Sequence, residues 1–367
     1  MRTVGVEEEY LLVGPDGAPA GAAAAALRAY ELRGGTPEPE PEPGGGLEGE
    51  LKEQQLETGT HPCEDLDALA DEVRAGRTRA RAAADAVGVR LAAVATSPVA
   101  GESTLSRGAR YHHMAREYAL TLREQLTGGC HVHVRVQDDD EGVAVLDRIG
   151  PWLPVLLALS ANSPYWRGED SGYESFRSQV WNRWPSAGPT APFGSAGGYH
   201  RVVQDLLDTG AALDHGMIYF DARLSHTYPT VEIRVADVCL RGGDAVLVAA
   251  LARGLVETAA REAADGVPPV VDRVERLRAA SWRAGRSGVT GDLVAPPAFR
   301  PAPARDVVRS LLEHVRPALT DHGDVERVET LLDELWVRGT GATQQRAWFR
   351  AGGPAAVVDG AVAATAD

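Results

Sequence analysis

The sequence contains a single lysine, Lys52, among its 37 basic residues. This scarcity excludes the phosphate-binding loop G-x-x-x-x-G-K-[ST], because Leu51 rather than glycine precedes the only lysine. It also restricts Schiff-base chemistry to one position. If the protein handles ATP, arginines and metal ions must therefore hold the phosphates.

Cysteine, positive charge and long apolar segments are also scarce. The three cysteines are scattered, which is typical of the reducing cytoplasm and not of a disulfide framework. The net charge of −15 repels phosphate backbones and anionic lipids, so we expect neither nucleic acid nor a membrane as a partner. A strand-like segment follows Met1 directly, without the pattern of a signal peptide, and the longest apolar stretch contains Pro154 and is too short to span a bilayer.

The order of the predicted elements indicates an α+β fold. Helices are predicted over 65–87, beginning near Asp65 and ended by Gly88, over 111–125, and over 141–160 with kinks at Pro151 and Pro154. Strands are predicted over 3–13, 51–60, 89–95, 129–136, 216–224 and 230–238. Residues 244–350 are predicted to be mostly helical, so strands come first and helices fill the C-terminal third.

We expect one catalytic domain over residues 1–367. The Pro-Glu repeats and glycines of residues 34–46 predict a flexible loop, and the Ala-rich residues 355–367 predict a frayed tail. Residues 163–198 form a segment rich in Gly, Pro and Trp that is too long for a simple connection, and we expect it to be functional.

Four strand-like segments place charged or imidazole groups on one face, because side chains alternate along a strand. Taken alone, Glu7 with Glu9 is more typical of a solvated strand face and Glu232 with Arg234 of a surface ion pair, whereas His131 with His133 is as typical of paired metal ligands as of a solvated face. If the strands are neighbours, the groups converge, and clustered carboxylates imply magnesium or manganese ions between them. The sets that share a face are Glu7 with Glu9, His131 with His133, Glu232 with Arg234, and Glu53 with Gln55 and Glu57.

These segments resemble the glutamate–cysteine ligase type 2 family, and within it the bacterial carboxylate–amine ligases with weak glutamate–cysteine ligase activity. The similar motifs follow the family order over nearly the whole chain. They are TVGVEEEY at 3–10, GCHVHV at 129–134, LSANSP at 159–164, GYESFR at 172–177, PTVEIR at 229–234 and GTGATQQR at 339–346.

The resemblance implies a glutamine-synthetase-like fold, in which an antiparallel β-sheet forms a funnel that is open to ATP at one end and to glutamate at the other. Glu50 is a less secure metal ligand than the others, because strand parity turns it away from Glu57 unless the chain turns between them, and Glu53 competes for its role. The metal ligands implied by the resemblance are Glu7, Glu9, Glu57, His131, Glu232 and Glu50.

The resemblance also implies that Arg177 and Arg234 bind glutamate or phosphate and act in catalysis together with Glu232. We place His133 with these arginines as a candidate cofactor-binding residue, although its role is open. ATP with Mg²⁺ or Mn²⁺ would convert a carboxylate, such as that of glutamate, into an acyl phosphate that an amine such as cysteine attacks. Relatives suggest a homodimer.

Two other functions stay open at this point. The His-x-His motif also begins the metal site of amidohydrolases, although those enzymes carry it early in a (β/α)8 barrel. A non-catalytic binding protein could have kept the same fold. The tryptophans of the long segment could shape the pocket for the amine or could simply pack in the core; they are Trp166, Trp181 and Trp184.

Overall fold

The structure is a computed structural model that describes residues 2–35, 44–270 and 273–367. Within these residues the chain forms eleven β-strands: β1 (Val4–Val13), β2 (Leu47–Gly49), β3 (Gln55–Gly59), β4 (Arg90–Ala92), β5 (Gly129–Arg135), β6 (Tyr165–Trp166), β7 (Glu169–Asp170), β8 (Ala222–Leu224), β9 (Thr230–Asp237), β10 (Asp292–Ala295) and β11 (Arg300–Pro303). The twelve α-helices of the described residues are α1 (Ala23–Glu31), α2 (Leu66–Asp85), α3 (Ala109–Glu124), α4 (Asp139–Ile149), α5 (Leu153–Ser160), α6 (Arg177–Trp181), α7 (Ala196–Asp208), α8 (Gly242–Ala264), α9 (Val274–Ser287), α10 (Ala304–His322), α11 (Val325–Arg338) and α12 (Gly341–Thr365).

A seven-stranded sheet organises the fold. Its strand order is β2-β3-β1-β5-β9-β8, and β4 pairs with the far end of β1. All of its pairings are antiparallel. The α+β class with an antiparallel sheet is therefore confirmed.

One face of this sheet packs against helices. Val4, Val6, Val132 and Ile233 point to that face and are buried in the largest apolar cluster. Helix α8 belongs to the same cluster and is buried along most of its length, as expected for a core helix. The opposite face is left for the polar side chains that the sequence analysis selected.

Glu8 shows that the alternation along β1 is strict. Its carboxylate lies on the helix-packed face, where Nε and Nη2 of Arg77 on α2 donate to it at 3.0 and 2.6 Å. The hydroxyl of Tyr10 donates to the same carboxylate at 2.9 Å. Glu8 is thus neutralised inside the core, while Glu7 and Glu9 point to the other side.

Several predicted elements are confirmed with small shifts. The side chain of Asp65 caps α2 by accepting from the backbone N–H of Ala68 at 2.7 Å, and Gly88 follows the end of this helix with φ of +77°. The strand predicted over 51–60 is only β3, because residues 50–54 form a turn. The strand predicted over 216–224 shrinks to β8, preceded by a 3₁₀ turn at His215–Met217.

Other predictions need correction. The helix predicted over 141–160 is two helices, α4 and α5, bent by 72° at residues 150–152; this confirms the kink predicted at Pro151, whereas Pro154 lies in the first turn of α5. The mostly helical C-terminal third contains a hairpin, β10 and β11, so the expectation that it lacks strands is wrong. The long segment 163–198, for which no elements were predicted, contains β6, β7 and α6. Residues 36–43 of the predicted flexible loop lie outside the described residues.

The prediction of a frayed tail is wrong. Helix α12 continues to Thr365, and Val357, Val358, Ala361 and Ala364 are buried. The Thr365 hydroxyl accepts from the backbone N–H of Ala93 at 2.8 Å, next to β4. An Ala-rich sequence has little apolar surface, but its small side chains let the helix approach the sheet edge closely.

Within the described residues, no single helix has both the length and the apolar character needed to cross a bilayer. The bent pair α4–α5 meets these criteria only when its two helices are taken together.

Candidate active site

Strand register brings the predicted side chains together on the free face of the sheet. Glu9 on β1 lies opposite Glu57 on β3, and Glu7 lies opposite His131 on β5. His133 on β5 in turn lies opposite Glu232 on β9. Four neighbouring strands therefore contribute to one cluster, which is the arrangement expected from the alternation if these strands are neighbours.

Two groups within this cluster have the spacing of metal ligands. One ligand atom from each of Glu7, His131 and Glu232 lies within 4.8 Å of the others, and the same holds for Glu9, Glu57 and His131. His131 is common to both groups. Its Nδ1 is 3.4 Å from Glu7 Oε2 and its Nε2 is 3.8 Å from Glu9 Oε1.

The electrostatics of the cluster favour bound cations. Burial and the nearby Glu50 raise the pKa of Glu9 to about 7, and burial with Glu50 and Glu7 raises the pKa of Glu57 well above its usual value. Burial and the positive charge of Arg234 lower the pKa of His131 to about 4, so its ring is neutral at physiological pH. A neutral imidazole is the form that binds metals.

The residues present fit a divalent cation. Nε2 of His131 is buried and has no hydrogen-bond partner among residues 2–35, 44–270 and 273–367. The carboxylate oxygens of Glu7, Glu9 and Glu57, which lie together without arginine or lysine partners among the described residues, are the ligand type that magnesium and manganese prefer. Glu7, Glu9, Glu57, His131 and Glu232 would hold such ions.

Glu232 differs from the other carboxylates because two arginines flank it. Arg234 donates to its Oε1, and Arg223 on β8 donates from Nε to Oε2 at 2.7 Å and from Nη2 to Oε1 at 3.2 Å. Burial alone would raise the pKa of Glu232, but these two guanidinium groups hold it well below the usual range. Glu232 is therefore ionised throughout the physiological pH range.

A bulge in β9 places Arg234 in this arrangement. Cys130 pairs with Ala236 and Val132 with Ile233, so two β9 residues stand opposite His131. The Arg234 guanidinium also lies over the rings of Trp181 and Tyr219, at 5.8 and 5.9 Å from their centroids. The Arg234 side chain therefore lies between these two aromatic rings and the carboxylate cluster.

Glu50 joins the cluster, and Glu53 does not. The chain turns between β2 and β3, so strand parity does not apply, and Glu50 and Glu57 are close enough to share a hydrogen bond. Glu53 instead accepts from the backbone N–H of Ala24 at 3.1 Å. Glu53 is therefore excluded as a competitor of Glu50.

Arg177 lies behind the cluster. It is 2% exposed, and its guanidinium donates to the carbonyls of Arg234 and Val235, both at 3.3 Å. Its charge lowers the pKa of Glu9 against the effect of burial. In this position the Arg177 guanidinium packs against Trp181, whose ring centroid is 5.4 Å away. Direct contact between Arg177 and a substrate stays a prediction.

Two cavities meet at the cluster. The first, of about 380 Å³, is lined by the acidic residues, Arg234, Trp181, Trp184 and Tyr219. The second, of about 520 Å³, lies at the β1 N-terminal end of the sheet, and its lining includes Gly5, Tyr228 and Thr230. Glu7, Glu57, His133 and Tyr228 line both. His133 thus stands at the junction, with Nε2 3.3 Å from Glu7 and Nδ1 2.9 Å from the Thr230 hydroxyl.

Sequence reasoning missed several residues of the first cavity. Arg223 escaped because it lies on a three-residue strand whose alternation is too short to recognise. Arg110, Tyr111 and Met114 lie on α3. The sequence pattern predicts this helix but does not show which of its faces lines a cavity. Trp166 lines a different cavity, of about 760 Å³.

The chain matches the family described as glutamate-cysteine ligase family 2 over residues 3–364. It belongs to this family. A relative in Streptomyces avermitilis, provisionally named glutamate–cysteine ligase 2-1, is 53% identical over 348 residues, which cover 94% of each chain. A Streptomyces coelicolor protein with a provisional name of the same kind is 52% identical over 347 residues, again 94% of each. The family membership that the sequence motifs indicated is therefore confirmed.

Solved structures share the fold at low sequence identity. The glutamate–cysteine ligase of Francisella tularensis, crystallised in complex with AMP, has a TM-score of 0.69 and 13% identity, covering 99% of this chain and 88% of its own. A bifunctional glutathione synthetase from Pasteurella multocida has a TM-score of 0.68 and 16% identity, covering 100% of this chain and 52% of its own. The ligase-type architecture expected from the sequence is confirmed, and the protein is an enzyme of the glutamate–cysteine ligase type.

Proposed function

We propose that this ligase uses ATP to phosphorylate a carboxylate, with glutamate as the donor, and then joins the acyl group to an amine. The observation that carries the proposal is the convergence of Glu7, Glu9, Glu57, His131 and Glu232 at the junction of two cavities. A nucleotide and a second substrate can then meet at the same ions.

The two cavities suit different substrates. The 520 Å³ cavity has mostly apolar walls, formed partly by Tyr228 and Pro229, and suits a nucleotide base. The 380 Å³ cavity has three arginines in its lining, which suit substrate carboxylates and transferred phosphate. We therefore place ATP in the first and the carboxylate and amine in the second.

The reaction needs charge neutralisation more than covalent chemistry from the protein. The bound divalent ions would supply electrostatic stabilisation of the phosphate oxygens. A carboxylate oxygen of the donor attacks the γ-phosphorus, and the bond to ADP breaks. The amine nitrogen then bonds to the acyl carbon, phosphate leaves, and the ammonium formed loses a proton.

The residues of the chain orient these steps. Arg234 lies beside the cluster, where its planar guanidinium can bind the transferred phosphoryl group in a bidentate manner. Trp181 and Tyr219 restrict that side chain to one position, which lowers the cost of organising the charge during the reaction. Glu232 and His131 would fix the ions that face it.

Hydroxylamine tests the proposal without knowledge of the natural amine. It intercepts an acyl phosphate and gives a hydroxamate that iron(III) detects. We expect glutamate, magnesium and ATP to give hydroxamate and ADP in equal amounts. ADP release without hydroxamate would contradict the acyl-phosphate route, and amide hydrolysis without ATP would favour the metal hydrolase.

A variant of Glu232 tests the site itself. Glu232→Ala removes a ligand from one metal group and leaves the buried Arg234 and the half-buried Arg223 without their carboxylate, so we expect ADP release to be abolished. Circular dichroism checks that the fold is retained. Calorimetry with magnesium–ATP on the wild-type protein tests the remaining alternative, because failure to bind the nucleotide would favour a non-catalytic binding protein with the same fold. Near-normal turnover by Glu232→Ala would contradict the assignment.

Three predictions extend beyond the site. A homodimer, the absence of nucleic-acid partners and a cytoplasmic location stay predictions from the sequence and from the family resemblance. Sedimentation of the purified protein at several concentrations would test the first. We propose cysteine as the first amine to try, since the relatives carry glutamate–cysteine ligase names.

A further inference from the structure

Lys52, the single lysine of the chain, lies in the turn that joins β2 to β3 and is 1% exposed. No carboxylate in the described ranges forms an ion pair with its ammonium group. Lys52 lines neither the 380 Å³ nor the 520 Å³ cavity, so a substrate in either cavity is out of its reach for Schiff-base chemistry. Because a buried ammonium without a counter-ion is costly, its polar contacts must compensate for its burial.

The ammonium group connects the turn to two other segments. Its Nζ donates to the hydroxyl of Ser103 at 2.8 Å and to the carbonyl of Arg123 at 3.4 Å. The Ser103 hydroxyl donates to the same carbonyl at 3.2 Å. Arg123 belongs to the last turn of α3, where carbonyls lack partners within the helix. Lys52 therefore connects the turn to the loop 101–106 and to the C-terminal end of α3.

The backbone of the turn is bonded to the same loop. The N–H of Glu53 donates to the carbonyl of Thr104 at 2.9 Å, and the N–H of Ser106 donates to the carbonyl of Leu51 at 3.0 Å. The Ser106 hydroxyl donates to the carbonyl of Glu50. The loop therefore contacts the turn on both sides of Lys52 in sequence.

Glu50 depends on this turn for its position. Its carboxylate accepts from the N–H of Leu51 at 2.8 Å, so its orientation follows the backbone of the turn. The side chain of Glu50 lines the 380 Å³ cavity and lies close enough to Glu57 to share a hydrogen bond. A movement of the turn relative to β3 would therefore change the distance between Glu50 and the other carboxylates of the cluster.

We propose that Lys52 is a positioning residue, which holds the carboxylate of Glu50 in the metal cluster by connecting the turn to Ser103 and to α3. This inference rests on the metal site of the proposed function. Lys52 acts through Glu50 and contacts neither an ion nor a substrate. A compact ammonium suits the enclosed position because its three donors diverge from one atom, whereas the guanidinium found at every other basic position of the chain is planar and larger.

Lys52→Met tests this role, because methionine keeps much of the apolar length of the side chain and removes its donors. The full-length protein is titrated with Mn²⁺, and the EPR signal of the free ion gives the Kd without any turnover. We expect this Kd to rise roughly 10-fold, the lower end of the range for losing the support of a metal ligand. In the hydroxamate assay, the magnesium concentration for half-maximal activity should rise likewise, while the kcat at saturating magnesium should change much less.

A double-mutant cycle shows whether Lys52 acts through Glu50. In the Glu50→Gln background the charged carboxylate is already absent, so adding Lys52→Met should raise the manganese Kd by less than about 2-fold. Arg253→Met is the matched control, because Arg253 is 0% exposed, donates to Asp324 and lines neither of the two cavities. This control also removes a buried cation, and it should leave the manganese Kd unchanged. Thermal unfolding in EDTA checks the fold of each variant.

The outcomes are distinct. A manganese Kd unchanged in Lys52→Met overturns the inference, and so does an equal rise in the wild-type and Glu50→Gln backgrounds, because Lys52 would then act elsewhere. If Lys52→Met does not fold, Ser103→Ala removes the acceptor of the ammonium group and is judged by the same two criteria. If the wild-type protein forms no hydroxamate from any donor, the proposed function falls, while the manganese titration still decides the role of Lys52.

Discussion

Replacing Glu57 by glutamine should stabilise the metal-free protein while removing its response to magnesium. Carboxylate oxygens of Glu57 and Glu9 lie within 4.8 Å of each other; Glu9 is buried and Glu57 is half-buried. At this distance and an effective dielectric constant of about 20, two negative charges repel by about 3 kcal/mol. Glutamine keeps the shape of the side chain and removes that repulsion.

We expect a net gain of about 1–3 kcal/mol in the free energy of unfolding of Glu57→Gln at pH 8 in EDTA, since the raised pKa values of Glu57 and Glu9 mean that protonation already relieves part of the repulsion. Magnesium should cancel this gain or reverse the order of the two proteins. An ion at 100 times its Kd stabilises the protein that binds it by about 2.7 kcal/mol, and the variant has lost a ligand.

Urea unfolding followed by circular dichroism, with EDTA or with magnesium, measures both effects. Glu313→Gln, which neutralises an exposed carboxylate on α10, is the matched control and should change neither value by more than about 0.5 kcal/mol. If Glu57→Gln is less stable than the wild type in EDTA, the carboxylates do not repel as described. If it gains as much stability from magnesium, Glu57 is not a ligand.

Two further predictions concern the surroundings of the cluster. Arg77→Ala leaves the carboxylate of Glu8 buried without its partner, so the free energy of unfolding, measured with urea with and without magnesium, should fall by about 3–5 kcal/mol. Arg74→Ala breaks an exposed ion pair and should lose less than about 1 kcal/mol. Equal losses in the two variants would contradict the role of burial. Trp181→Ala removes the aromatic wall beside Arg234, so the relative rates with different amines should change more than the KM for ATP in an ADP-release assay, and an unchanged amine profile would contradict this.

The site residues could be selected from the sequence because the alternation of polar and apolar residues shows which side chains of a strand share a face. Glu7 and Glu9 share a face by alternation alone, as do His131 with His133. Which strands are neighbours could not be derived in that way. The pairings of Glu9 with Glu57 and of His133 with Glu232 depend on contacts distant in sequence, and only the family resemblance indicated them.

The errors have physical causes of the same kind. Parity placed Glu50 on the wrong face because a turn, not a continuous strand, joins β2 to β3. Residues 355–367 looked frayed because alanine gives a weak amphipathic signal, although Ala361 and Ala364 pack on the sheet edge. Arg110 and Arg223 carry no local signal, because arginine is common in this chain and its role depends on its neighbours in space.

Three consecutive glutamates on β1 explain why this sheet has a site on one face and a core on the other. Glu8 points to the helices and is neutralised by Arg77, whose side chain is 4% exposed. Glu7 and Glu9 point the other way, and no arginine or lysine in the described ranges forms an ion pair with either of them. Because buried like charges are costly without compensation, the protein leaves a deficit of positive charge that divalent ions can fill. A shift of one residue in the register of β1 would exchange the two roles, so the pairing of β1 with β3 and β5 fixes the fold and the site together.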